Sequence, residues 1–296
     1  MLKIKKMTRA SIIAMALLST NAMSASTNSK YKREEGACFP TSNQTYAAGL
    51  KSNTAMSEAE FNLILDKVHS YMSLEIKRRL NKDLILEKRW SDPTVDAFAT
   101  RDDLNNAVVV MNGGLARHPL MTKDGLQLLA CHEIGHHLGG APKIPRGTSG
   151  LRGWSSAEGQ ADYFATTKCL PVLFKNDNDN RAVDLDLDSL DLSVAGSKCR
   201  DQLCSRIALA GLSVSKVFAS LIKGQATPSL MQNDPTKVTQ TLYKHPNPQC
   251  RLDTYFSGAN CDLGIEFPFD TKDPKVGACV KDLGIRPSCW FSEEEF

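Results

Sequence analysis

Residues Leu126 to Leu138 read LQLLACHEIGHHL, and Glu158 to Asp162 read EGQAD. The first stretch holds a His132-Glu133-x-x-His136 motif. On a helix, positions four apart lie one turn apart on one face, so both imidazoles can reach a single zinc ion. Glu133 projects from the same region, close enough to take a proton from water at that ion. With six histidines in the 296-residue chain, chance supplies the motif only ~0.005 times per such chain. Leu126, Leu129, Ala130 and Ile134 supply apolar backing. An amphipathic helix is therefore expected over Lys123–Leu138, stopping at Gly139-Gly140 ahead of Pro142.

Zinc needs a third protein ligand and an open position. In the pattern H-E-x-x-H-x-x-G-x-x-H, Gly139 fits the glycine, but Pro142 stands where the third histidine belongs. The other common solution is a glutamate on a later helix. Glu158 opens the next predicted helix, which runs to about Cys169, and Asp162 sits one turn further along the same face. Asp162 can accept a hydrogen bond from the non-ligating nitrogen of a zinc histidine and so fix its tautomer. Without the upstream motif, Glu158 would read as a cap paired with Ser155 at capping-box spacing, and Asp162 as a surface charge. With it, His132, His136 and Glu158 are the expected ligands of one Zn²⁺ per chain.

These two motifs together resemble those of the gluzincin peptidases of the HtpX and CAAX prenyl protease type, including BepA-like soluble periplasmic members, whose second motif is E-x-x-A-D. The resemblance covers about Ala107 to Phe256. It takes in the strand and glycine pair before the zinc helix, and His245-Pro246 followed by Arg251. It implies a mainly helical α+β zincin core with a small edge sheet, with Glu133 as general base and His245 and Arg251 as further catalytic residues. His245 would lie over the active site and Arg251 would support it. Two roles for His245 stay open: hydrogen-bond donor to an oxyanion, or a fourth zinc ligand that blocks the resting site. The chain departs from the family in lacking both its transmembrane helices and a helical-repeat domain, and the C-terminal cysteine region has no counterpart there.

A zinc-dependent endopeptidase acting on unfolded or extended polypeptide is the leading expectation, in an envelope quality-control setting. The strand Ala107–Met111 is expected to pair with the substrate backbone. A zinc-bound binding or chaperone-like module and a zinc amidase acting on cell-wall peptides are the alternatives. Histidines His69, His118 and His137 and the three tryptophans read as structural. Trp154 is the one to watch, because it immediately precedes the Glu158 helix.

The chain's formal charge of +3 is unevenly placed. Lys3, Lys5, Lys6 and Arg9 precede an apolar run, Ala10 to Leu18, and small residues at Ala22, Ser24 and Ala25. That is the pattern of a secretory signal peptide, with an uncleaved anchor as the alternative. Without those four residues, 32 of the 36 basic residues face 33 acidic ones, so no nucleic-acid partner is indicated. No later stretch reads as the ~20 apolar residues of a membrane span. A periplasmic or secreted location follows, and the nine cysteines agree with it. Eight can form four bridges. Cys131, inside the apolar zinc helix, is the expected free thiol.

Four segments result: a signal peptide (1–25), a polar lead (26–56), a catalytic domain (57–262) and a cysteine-containing extension (263–296). A helix should begin at Ser57, capped with Glu60. Strands are expected over Leu84–Trp90, Thr94–Ala99 and Ala107–Met111, the last ended by Gly113 and Gly114. A loop should span Gly139–Gly153, an acidic surface loop 176–191, and further helices Asp201–Lys223 and Gln249–Ala259. Along that last helix Cys250 and Cys261 lie about 16 Å apart, too far to bridge each other.

Overall fold

A computed structural model describes residues 30–31, 39, 44–49, 56–146, 151–175, 177 and 189–296. The signal segment, most of the polar lead and of the acidic loop, and Cys38 lie outside the described residues. The chain divides into Met1–Lys32 and a compact unit, Arg33–Phe296. The first of these has only Lys30 and Tyr31 described, with the Lys30 ammonium over the Tyr31 ring. The second is an α+β unit.

Helix α1 (Glu58–Leu80) starts as its sequence dictates. Ser57 Oγ accepts from Glu60 N, and the Glu60 carboxylate accepts from Ser57 N at 2.9 Å. Its inner stripe, Phe61, Ile64, Leu65, Val68, Met72 and Ile76, is buried. A three-stranded sheet follows in the order β1-β3-β2. Strand β1 (Leu84–Arg89) pairs parallel with β3 (Ala107–Asn112), and β2 (Ala97–Arg101) pairs antiparallel with it. Strand β3 is therefore central and buried throughout, which is why it reads as an unbroken apolar run. It cannot take a substrate strand, because both of its edges are already paired. Strand β2 begins three residues later than expected, because Thr94 is held in a turn by Asp92 Oδ1 and bridges to Thr45 instead. Gly113 and Gly114 do not merely end β3. They form a single helical turn, α2 (Gly113–Ala116), where an added Cβ would meet the carbonyl oxygens of Trp90 and Pro93 at 1.9 and 2.0 Å.

Helix α3 (Lys123–Leu138) has the expected bounds, capped by Thr122. It is not amphipathic, however. Every residue from Asp124 to Leu138 is buried, because the sheet, α1, α4 and α7 surround it. The loop expected after it contains a hairpin, β4 (Lys143–Arg146) and β5 (Leu151–Ser156). The next helix runs further than expected, as α4 (Glu158–Phe164), a π-helical stretch (Ala165–Cys169) and α5 (Leu170–Lys175). Leu170 N reaches Ala165 O, and this wider turn carries the helix into Pro171, which has no N–H to offer.

Helices α6 (Ser189–Lys198), α7 (Gln202–Leu221) and α8 (Pro248–Asn260) complete the fold. Helix α6 occupies sequence that reads as the end of a loop and the start of nothing regular. Helix α7 corrects the expectation about spans: by length and composition it could cross a membrane, yet most of it is buried inside the unit as a core helix.

Four disulfides are formed: Cys131–Cys169, Cys199–Cys204, Cys250–Cys289 and Cys261–Cys279. Cys131 is thus not free. The π-helical stretch packs beside α3 and brings the Cys169 Cα to 5.7 Å. Cys250 and Cys261 pair with other cysteines, as their helical separation requires. Four bridges fit an oxidising environment.

Residues 263–296 pack onto this core. The buried Lys168 ammonium donates to Gly264 O at 3.1 Å, to Gly277 O at 2.8 Å and to Leu263 O. Trp290 lies flat on Gly159, where a Cβ would meet its ring at 2.3 Å. Lys168→Met should strand those three carbonyls and lower stability by about 2–4 kcal/mol. Urea unfolding monitored by circular dichroism would show this as a lower midpoint; an unchanged midpoint would mean that the carbonyls find other donors.

Candidate metal centre

His132 and His136 face α4 from one side of α3, and Glu158 is the first residue of α4. Small residues set how near these helices come. A Cβ at Gly135, inside the HEIGH stretch, would meet Ala161 O at 2.8 Å and Ala161 Cα at 2.9 Å. The glycine of one motif and the alanine of the other are therefore the contact that lets the Glu158 carboxylate reach the imidazoles. Ligating atoms of His132, His136 and Glu158 all lie within 4.8 Å of one another, and all three residues are buried.

The Nδ1 atoms of both histidines are committed to acceptors. His132 Nδ1 is 2.6 Å from Asp162 Oδ1, and His136 Nδ1 is 3.0 Å from the Ser156 carbonyl oxygen. An ionised carboxylate and a carbonyl can only accept, so each Nδ1 carries the proton and each Nε2 presents a lone pair. Burial pushes His136 down to about 4, so it is neutral at physiological pH. Its Nε2 and that of His132 stand 3.7 and 3.3 Å from the Glu158 oxygens. These are not ion pairs between neutral rings and a carboxylate. They are three lone-pair donors turned toward one point, and the Glu158 oxygens are buried with no hydrogen-bond donor. A tetrahedral zinc with bonds of ~2.0–2.1 Å spaces its ligand atoms ~3.3 Å apart. The donor set therefore fits a cation of that kind.

Asp162 holds this arrangement from behind. Arg251 Nε donates to Oδ2 at 2.9 Å, Arg251 Nη2 to Oδ1 at 2.6 Å, and Tyr255 Oη to Oδ1 at 2.7 Å. Burial alone would raise the Asp162 carboxyl; the Arg251 guanidinium and His132 outweigh it and keep it below the usual range. Arg251 stacks on Phe218 at 3.8 Å and is wholly enclosed. It therefore cannot touch a substrate, and its place corrects the catalytic role expected for it to a positioning one. Tyr255 was not singled out in the sequence, although it lies four residues after Arg251 on the same helix face. Gly211 of α7 admits it, since a Cβ there would meet Tyr255 Cβ at 2.6 Å.

Ser155 does not cap α4. The N-cap is Ala157 with no side-chain bond, and Ser155 Oγ instead lies 3.0 Å from His136 Nδ1. Glu133 is buried beside His132 on α3. His137 turns away, stacked on Trp154 and 3.3 Å from Val108 O, while Arg101 lies over the Trp154 ring at 4.9 Å. His69 and His118 bond Leu84 O and Ser220 Oγ at 3.1 Å each and are structural.

His245 reaches the centre from the irregular stretch 233–247. Its Nε2 is 3.4 Å from Glu158 Oε1, and its side chain is 28% exposed, whereas the other donors are almost fully covered. The His245 Nε2 is itself buried, so the ring covers the centre on this side with only its outer part in solvent. His245 is not among the mutually close donors. The C-terminal residues hold this stretch in place. Leu242 N donates to Trp290 O at 2.8 Å, Thr241 N and Tyr243 Oη donate to the Glu295 carboxylate at 2.7 Å each, and Cys250 is bonded to Cys289.

Comparisons of the chain with protein-family models, characterised proteins and solved structures give no match. Tyr255→Phe keeps the ring against Gly211 and removes one of the donors to Asp162. Zinc affinity, measured by competition with a chromophoric chelator, should fall by ~10-fold, with the melting temperature little changed. Unaltered affinity would separate Tyr255 from the metal centre.

Proposed function

We propose that the chain is a zinc-dependent endopeptidase of the gluzincin type, exported to the periplasm or secreted, acting on extended or unfolded polypeptide. The observation that carries this reading is the buried donor set of three, His132, His136 and Glu158, with a buried Glu133 next to His132 on the same helix. A purely structural zinc site closes all four positions with protein ligands and has no use for a carboxylate base.

Zinc, when bound, supplies a Lewis acid that polarises a carbonyl and acidifies water. Glu133 takes the water proton and passes it to the departing amine. Asp162 and the Ser156 carbonyl keep both imidazoles in the tautomer that presents Nε2, and Arg251 and Tyr255 keep Asp162 ionised and oriented. His245, over the centre and outside the donor set, donates a hydrogen bond to the substrate oxygen as negative charge develops there. Extended substrate lies along β2, the outer strand packed on α3, in place of the enclosed β3.

The test is incubation of the purified chain with an unfolded protein and, separately, with cell-wall fragments, with and without a chelator. Cleavage of the unfolded protein, lost with chelator and restored by zinc, is expected. Cleavage of cell-wall fragments alone would transfer the reading to an amidase, and no zinc-dependent cleavage of either would overturn it. Glu133→Gln should keep one zinc per chain and lose turnover by ~10²–10⁴-fold, whereas Glu158→Ala should lose the zinc itself. Equal zinc loss in both would overturn these assignments. His245→Ala should keep its zinc and lower kcat by ~10²-fold. Raised basal cleavage would instead mark His245 as a blocking ligand.

A further inference from the structure

A pocket of about 300 Å³ lies among the C-terminal residues, lined by Lys275, Val280, Ile285, Arg286, Glu293 and Phe291, with Phe296 stacked on the Phe291 ring at 5.8 Å. It includes none of the metal donors. Arg286 is 6% exposed, so its cation is out of water. The guanidinium lies among the rings of Phe291, Tyr163 and Phe269, at 4.7, 5.2 and 5.8 Å from their centroids. Of its five N–H groups, Nη2 donates to Pro274 O at 2.7 Å, while Nε is buried without an acceptor. Burial pushes the group down to about 10, and Tyr163 and Glu293, the acid on the pocket, offset it only in part.

Buried cations are normally paired, because stripping a charge of water costs several kcal/mol unless a counter-charge replaces it. Here aromatic faces and one carbonyl do part of that, and the pocket beside the fork is lined by apolar side chains. Among the side chains that line it, two cations, Arg286 and Lys275, stand against one acid, Glu293. Arginine's planar fork matches a carboxylate. Val280, Ile285 and Phe291 match a hydrocarbon or aromatic group.

We propose that this pocket binds an apolar carboxylate, its carboxyl group taken by Arg286 and its apolar part by Val280, Ile285 and Phe291. A free aromatic or aliphatic acid and the C-terminus of a peptide ending in an apolar residue share this chemistry. The assignment does not depend on the metal centre or on peptidase activity.

Calorimetric titration of the full chain with N-acetylphenylalanine tests it. A Kd on the order of 0.1–1 mM is expected for a ligand of this size, with N-acetylphenylalanine amide at least ~10-fold weaker. Acetyl-Ala-Phe, run in parallel, distinguishes the sources: tighter binding than the single residue assigns the pocket to peptide termini, equal or weaker binding to free acids. Arg286→Gln should weaken the acid by ~10-fold or more. Because that variant alters a buried group, two exposed ones accompany it. Lys275→Gln should weaken the acid, and Glu293→Gln should tighten it, by several-fold each. Equal affinity for acid and amide, no heat up to about ten times the expected Kd, or an acid affinity indifferent to both rim variants would overturn the proposal.

Discussion

The Asp162 carboxylate is the point on which the molecule turns. It is a buried charge, and it is tolerable only because three donors from two other helices converge on it: His132 from α3, and Arg251 and Tyr255 from α8, with Asp162 itself on α4. Removing Arg251 would leave that charge uncompensated in a place without water, and such a loss is costly. The same bonds that neutralise the carboxylate fix which nitrogen of His132 carries its proton. Fold stability and donor geometry are therefore one network. The helices cannot drift apart without also misaligning the imidazole.

That network depends on backbones coming close. Gly135 lets α3 touch α4 at Ala161, Gly211 lets Tyr255 lie against α7, and Gly258 brings α8 against the π-helical stretch, where a Cβ would meet Thr166 Oγ1 at 2.0 Å. Each is a place where a side chain has been left out so that polar groups elsewhere can meet. Cys131–Cys169 ties the same α3 to the same stretch covalently, one residue from His132.

Much of this was legible in the sequence, for reasons that are local. Ser57 and Glu60 announce a helix start because the capping bond spans three residues. His132, Glu133 and His136 announce a donor set because four residues make one helical turn. Glu158 and Asp162 follow from the same turn. What could not be read depends on contacts between distant segments. Nothing in AVVVM says whether a strand is central or at an edge, because an apolar run suits any buried strand. Cys131 looked free because its partner lies 38 residues away on a stretch whose π-helical turn has no sequence signature of its own. In the sequence Tyr255 is any helical aromatic and Arg251 a support for His245; only the placing of α8 behind Asp162 shows what both hold. The Glu295 contacts to Thr241 and Tyr243 are of the same kind: ordinary surface residues until the tail folds back.

The hold of the tail on the stretch that carries His245 also has a meaning in time. A chain emerges from its N-terminus, and segments fold as they become available. His132, His136, Glu158 and Asp162 are all present, and can begin to pack, before residues 289–295 exist. The stretch that carries His245 cannot be fixed then, because Trp290 and Glu295 have not yet been made and Cys250 has no partner. Completion waits for the last few residues and for an oxidant able to join Cys250 to Cys289. The order of synthesis thus leaves the His245 stretch of a half-made chain without its anchors.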